Sequence, residues 1–241
     1  GLAEFDHDPH ARRRLDPRGR NVPAPQWLLK PKNVNELDRR LWSDTVDRVD
    51  AGAVSIGGLT AAEIVEQVGS PVYVIDELDF RGRALSWKRA FEGWHVYYAA
   101  KSFLCSTIVR WVAEEGLSLD VSSHGELVVA LRAGFDPSRI ALHGNNKSLS
   151  EIDRAVGAGV GAIVIDSVVE IERVATAASR HGRTQPVRLR INSGVHASTH
   201  EYLATAREDQ KFGIPLADAA AAVALIRAQP SLSFLGLHSH I

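Results

Sequence analysis

Leu117-Ser118-Leu119-Asp120-Val121-Ser122-Ser123-His124-Gly125-Glu126 is an apolar β-type run that passes directly into a Ser-x-x-Glu box. At that spacing serine and glutamate each satisfy a backbone amide that the first helical turn leaves free, so the box marks a helix start. The plan recurs twice: residues 139–146 lead to Ser148-Leu149-Ser150-Glu151, and residues 162–166 lead to Ser167-Val168-Val169-Glu170. Asp120, His143 and Asp166 close the three runs at 23-residue intervals. A strand-to-helix relay of near-constant length predicts consecutive βα units.

The relay extends both ways. Upstream, Val96-Tyr97-Tyr98-Ala99-Ala100-Lys101-Ser102 reads as a strand that ends abruptly in a lysine. Downstream, residues 186–192 read as a strand, 193–213 as a long polar segment, 216–227 as a helix and 232–241 as a last strand. That makes six strands with a helix expected between each consecutive pair. Their Val, Ile and Leu runs are continuous rather than alternating, as parallel strands buried on both faces require. Right-handed crossovers of this kind close into a barrel or open into a doubly wound sheet. No Gly-x-Gly-x-x-Gly follows the first strand, which removes the main support for a dinucleotide fold. The expected class is α/β, a partial (β/α)8 TIM barrel with about six of its eight units.

Ahead of the barrel, residues 1–35 carry Arg12-Arg13-Arg14 and prolines at 9, 17, 23, 25 and 31 among few apolar residues, and predict a flexible N-terminal extension. Residues 36–72 form a separate segment, with a helix expected near 36–49 and a strand at 53–56 closed by Gly57-Gly58. A second helix there is opened by Thr60-Ala61-Ala62-Glu63 and ended by Gly69. Residues 71–76 read as a strand, and 73–241 as the incomplete barrel.

Twenty-eight basic against twenty-nine acidic residues give no field that favours nucleic acid or an anionic membrane, so small molecules or other chains are the expected partners. One cysteine, Cys105, excludes an internal disulfide and fits a reducing compartment. No apolar run approaches the roughly 18 residues of a membrane span, and no signal-peptide pattern opens the chain, so the expected location is the cytoplasm. Methionine is absent even at position 1 and the last residues stop inside a predicted strand, so a portion of a longer protein is expected.

In such a barrel the C-terminal strand ends converge on one rim, and that rim carries the chemistry. Here they carry Lys101, Asp120, His143 with Asn145 and Asn146, Asp166, Arg190 with Asn192, and His238 with His240. Lysine is scarce, six against twenty-two arginines, and one kept at a strand end either reaches solvent or is held for its nucleophilicity. Arg190 lies within Val187-Arg188-Leu189-Arg190-Ile191, where an inward-facing arginine needs an anionic partner. Plainer readings stand beside these: a surface lysine, aspartates as turn or cap residues, and histidines satisfied by backbone.

Several stretches together, in order and spacing, resemble the diaminopimelate decarboxylases, which belong with the ornithine and arginine enzymes to the fold-type III pyridoxal-phosphate decarboxylases. They are Tyr98-Ala99-Ala100-Lys101, Asp120-Val121-Ser122-Ser123-x-Gly125-Glu126-Leu127, His143-Gly144-Asn145-Asn146-Lys147-Ser148, Leu189-Arg190-Ile191-Asn192, Lys211-Phe212-Gly213 and Gly236-Leu237-His238-Ser239-His240-Ile241. The similarity runs from about Leu41 to the last residue, and the His-Gly-Asn-Asn-Lys-Ser run is its most specific part. The resemblance implies decarboxylation of meso-2,6-diaminopimelate to L-lysine by a homodimer that uses pyridoxal 5'-phosphate. It further implies that Lys101 holds the cofactor as a Schiff base and His240 stacks on its ring. Asp120, His143 and Arg190 would complete the cofactor site, with Glu126 close behind. The family's C-terminal β domain would follow Ile241 and pack with residues 36–72. A barrel lacking two strands has open edges, so this chain alone is expected to be inactive and aggregation-prone.

Three other functions fit parts of the pattern. His238-Ser239-His240 at a strand end matches the two-imidazole arrangement of metal-dependent barrel hydrolases. Decarboxylation of another basic amino acid, or a cofactor-binding module without turnover, would use the same rim.

Overall fold

The computed structural model describes residues 33, 36–39, 41–49, 52–192 and 212–240, and the chain divides into two units between Asp76 and Glu77. The extension expected over residues 1–35 therefore lies, except for Asn33, outside the described residues, as does most of the polar segment 193–213.

In the first unit, β1 (Asp47–Arg48), β2 (Val54–Ile56) and β3 (Leu59–Thr60) pair antiparallel in that order, and α1 (Ala61–Val68) follows. The capping box expected at Thr60 is present: its hydroxyl accepts from the Glu63 amide at 3.2 Å, and the Glu63 carboxylate accepts from the Thr60 amide at 2.7 Å. Two expectations fail here. The helix over 36–49 is replaced, among its described residues, by turns and β1. Arg39 donates to the Val46 carbonyl at 2.7 Å, and the Ser43-Asp44-Thr45 run offers local bonds that compete with a helix. Residues 71–76 join no ladder among the described residues, because no described strand lies beside them to take up their amides.

The second unit carries the relay. Its elements are α2 (Glu77–Ala90), β4 (Tyr97–Ala99), α3 (Ser106–Glu114), β5 (Ser118–Val121), α4 (His124–Arg132), β6 (Ile140–Leu142), α5 (Leu149–Ala158), β7 (Ala162–Ile165), α6 (Val168–Arg180), β8 (Gln185–Asn192), β9 (Ile214–Pro215), α7 (Ala219–Arg227) and β10 (Leu232–His238). Six strands lie in the order β4-β5-β6-β7-β8-β10, all parallel, with β9 added at the end of β8. The six expected strands are thus found, although the last ends at His238; α2 and β9 had no signal strong enough to predict them.

The sheet is curved into a barrel wall. Arg188 of β8 lies 3.5 Å from the Tyr97 hydroxyl of β4, with its guanidinium 5.6 Å from the ring centroid. Those strands are four places apart, and a flat sheet at ~4.8 Å per strand would separate them by about 19 Å. On β8, Val187 and Leu189 are fully buried in the core with Ile171 and Val174 of α6 and Ile226 of α7, while Arg188 and Arg190 alternate onto the other face.

β10 begins in phase with this pattern and then changes it. Phe234 pairs with Val187, but Gly236 pairs with Arg188, leaving Leu235 as one extra residue. The bulge inverts the alternation, so His238 pairs with Arg190 and shares its inward face. Gly236 supplies the backbone for this with φ of +148°, which residues bearing a Cβ avoid.

The three Ser-x-x-Glu boxes differ from one another. Ser148 and Glu151 form the reciprocal box, and Glu151 also accepts from the His124 amide at 2.9 Å. Ser123 caps the Glu126 amide, but the Glu126 carboxylate turns to the Ser122 amide at 2.6 Å. At the third box the expectation fails, because Ser167 makes no side-chain cap and Glu170 is buried in an ion pair. It accepts from the Asp166 amide at 2.9 Å, the Lys147 amide at 3.1 Å and the Lys147 ammonium at 3.0 Å. That ammonium also donates to the Gly144 and Val164 carbonyls, both at 2.6 Å. A buried cation left without an anion costs more than a missing cap, so the pair prevails. With side chains 2% and 1% exposed, the pair receives little solvent screening. Glu170→Gln should therefore lower stability by about 3–5 kcal/mol, read from the urea midpoint, while Lys147→Met combined with Glu170→Leu should lose less than Glu170→Gln alone.

Candidate functional site

The strand ends bring the expected residues together. Lys101 sits in the single turn after β4, Asp120 on β5, His143 just past β6, Arg190 on β8 and His240 two residues past β10. All five line one cleft of about 210 Å³, joined there by His238 and Phe212. This is smaller than the ~300–1,000 Å³ of drug-sized pockets and suits a compact polar ligand.

Asp166 does not line the cleft. It lies beneath, 8% exposed, with a carboxylate oxygen 3.4 Å from Arg190 Nη1, and is the anionic partner that an inward-facing arginine required. The Arg190 guanidinium carbon lies over the Phe212 ring, 5.3 Å from its centroid. His143 Nε2 stands 3.2 Å from Asp120 Oδ1, and the His238 ring meets the His143 ring edge-on at 4.7 Å and 82°.

Burial pushes Asp120 up to about 7, with the Lys101 charge pulling it down and Glu126 adding to the rise. Burial likewise pushes His143 down to about 3, assisted by His238, Lys147, Arg188 and Arg190. His238 is pushed down to about 4 by burial, then by Arg190, His240, Arg188 and Lys147. His240 is lowered by burial, Lys101 and Arg190. These shifts run against an Asp120–His143 ion pair: desolvation disfavours both charges more than a contact at 3.2 Å favours them. Near neutral pH the imidazoles are uncharged and the cleft's positive charge comes from Lys101 and Arg190.

Asp120 Oδ1 and His238 Nδ1 are buried without an aligned hydrogen bond. Unmatched polar atoms of this kind are rare in folded proteins away from functional sites. An amine at a strand end, a fixed guanidinium and neutral imidazoles are a donor set that fits an anionic aromatic aldehyde: the amine can condense with it, the cations can hold its charge and an imidazole can face its ring. The metallohydrolase reading needs several metal-type side chains at one point. Among the described residues no group of three or more His, Cys, Asp or Glu is arranged to hold a metal ion.

The fold and the cleft define a class. Residues 78–241 match the family described as pyridoxal-dependent decarboxylase, pyridoxal binding domain, and the chain belongs to that family. Within it, the similarity is to diaminopimelate decarboxylases, in agreement with the sequence motifs. The Mycobacterium tuberculosis H37Rv diaminopimelate decarboxylase is 50% identical over 208 residues, covering 85% of this chain and 46% of its own. The Mycobacterium leprae enzyme is 48% identical over 225 residues, covering 92% and 48%. Among solved structures, the diaminopimelate decarboxylase of M. jannaschii in co-complex with L-lysine superimposes with a TM-score of 0.72 at 29% identity, over 83% of this chain and 48% of that one. The Helicobacter pylori diaminopimelate decarboxylase complexed with L-lysine gives 0.68 at 30% identity, over 75% and 46%. The chain thus spans about half the length of the relatives it matches. No helix among the described residues is long and apolar enough to cross a membrane.

Sequence reasoning missed Phe212 as a member of the cleft and left the facing of His238 open. His238 was read as a rim residue or a core histidine, because its facing depends on the bulge at Leu235. Phe212 carried no signal beyond its motif, since its partner Arg190 lies on another strand.

The titrations have a consequence for stability. Between about pH 4 and 6.5 the folded protein keeps an Asp120 proton that the unfolded chain releases, so this group makes stability fall as pH rises towards about 7. Over the same range the unfolded chain binds protons that folded His143 and His238 refuse, so these make stability rise with pH. Two rising contributions against one falling leave a net rise of about one proton. Asp120→Asn removes the falling contribution, and urea midpoints between about pH 4.5 and 6 should then rise more steeply, by ~1.4 kcal/mol per pH unit.

Proposed function

We propose that this protein decarboxylates meso-2,6-diaminopimelate to L-lysine and carbon dioxide with pyridoxal 5'-phosphate. The supporting observation is the convergence of Lys101, Asp120, His143, Arg190 and His240 on one cleft, in a chain 50% identical to a diaminopimelate decarboxylase. In this reading Lys101 binds the cofactor covalently through its amine, His240 orients the ring, and Asp120, His143 and Arg190 surround it. When bound, the cofactor supplies the electron sink that accepts the pair left by the departing carboxylate. The carbon that loses carbon dioxide takes up one proton in its place. Asp120, beside Lys101 and titrating near neutrality, keeps a proton on its carboxyl within the cleft. Arg190, with Asp166 3.4 Å from its Nη1, places a guanidinium there for the cofactor's negative charge.

The same reading makes the whole protein a cytoplasmic homodimer in which residues 36–72 pack against a C-terminal β domain and residues 73–241 form the cofactor-binding barrel. Borohydride treatment of the cofactor-loaded protein should fix the cofactor onto Lys101, identified by peptide mapping. Lys101→Ala should lose the cofactor absorbance and at least about a thousandfold in carbon dioxide release. Release from L-ornithine or L-arginine in place of meso-diaminopimelate would reassign the substrate to another basic amino acid. Bound zinc without cofactor absorbance would overturn the reading.

A further inference from the structure

The two inward-facing arginines of β8 are each set against an aromatic ring. Arg188 lies over Tyr97 at 5.6 Å, and Arg190 over Phe212 at 5.3 Å. For Arg190 the ring has more to do. Its polar partner, Asp166 Oδ1, is 3.4 Å away, well beyond the ~2.7–2.9 Å of a tight charge-assisted bond, so the carboxylate alone leaves the guanidinium free to swing. The Phe212 ring is the other group set against that guanidinium.

Phe212 owes its place to the backbone that follows it. β9 pairs with the end of β8, Ile214 beside Ile191 and Pro215 beside Asn192, and this brings the returning chain onto the strand that bears Arg190. Gly213 is the point of closest approach. Its φ is +82°, and a Cβ there would stand 3.1 Å from both Arg190 Cγ and the Arg190 carbonyl oxygen and 3.2 Å from the Ile191 carbonyl carbon. Any side chain would lift the return strand and carry the neighbouring ring with it. Phe212 itself is 42% exposed, so it stands at the cleft and is not part of the core.

We propose that Phe212 is a positioning residue: its ring, set by Gly213, holds the Arg190 guanidinium against Asp166 in the orientation that receives the anionic cofactor. The proposal rests on the reading that Arg190 faces pyridoxal phosphate. A contact between a cation and an aromatic face depends on the π system, so another aromatic side chain preserves it and an aliphatic one of similar bulk does not.

The test is cofactor affinity, measured by titrating the cofactor-free full-length protein with pyridoxal phosphate and following absorbance, with circular dichroism to verify folding. F212L should weaken binding by about 3- to 10-fold, the range of a partly desolvated cation–π contact. F212Y and F212W should stay near the parent value, and G213A should behave as F212L does. R190K is measured alongside. If R190K leaves affinity unchanged, the reading that Arg190 faces the cofactor fails, and the proposal with it. If R190K weakens binding but F212L does not, or if F212W is no better than F212L, Phe212 does not position Arg190.

Discussion

A buried ammonium and a buried carboxylate, Lys147 and Glu170, hold the rim of this barrel in place. Taking both charges out of water is unfavourable, and the arrangement survives because every polar atom of the pair is occupied. One carboxylate fixes the amides of Lys147 and Asp166, and the ammonium reaches the carbonyls of Gly144 and Val164, so the ends of β6 and β7 are tied to a single point. The effect passes outward. With its amide held by Glu170, Asp166 presents its carboxylate to Arg190, and with Gly144 held by Lys147, the segment after His143 is anchored. Glu151 repeats the device one unit earlier by taking the amide of His124. Neighbouring βα units are thus stitched sideways by the glutamates that open their helices.

That anchoring explains the electrostatic character of the cleft. Burial depresses the half-buried imidazoles of His143 and His238, and the positive side chains of Lys147, Arg188 and Arg190 add to it, so the histidines remain neutral where free histidine would begin to charge. Asp120, which burial pushes up to about 7, is then the cleft group whose charge changes near neutrality, while His143 and His238 act as shape and as hydrogen-bonding surface.

Much of this was legible in the chain. The 23-residue relay and the apolar runs on either side of it gave the six parallel strands, and reading residues off the strand ends gave seven side chains that share one cleft. What escaped was of a different physical kind. Glu170 has the spacing of a cap and the burial of an ion-pair partner, and only the position of Lys147, 23 residues away in sequence, decides between them. Residues 36–49 have apolar positions compatible with a helix, but Ser43, Asp44 and Thr45 favour local turns, and tertiary context settled the competition. Residues 71–76 have the composition of a strand, yet composition cannot supply a neighbour. Facing on β10 was illegible because alternation assumes an unbroken ladder, and this ladder is broken.

The break at Leu235 means that β10 encodes its inward face by parity. Removing that one residue would leave Gly236, Leu237 and His238 opposite Arg188, Leu189 and Arg190, whereas a regular ladder with every residue kept would set Leu237 opposite Arg190 and turn His238 to the other face. A slip of this strand by one position, with no change in sequence, would thus carry the histidine out of the chamber.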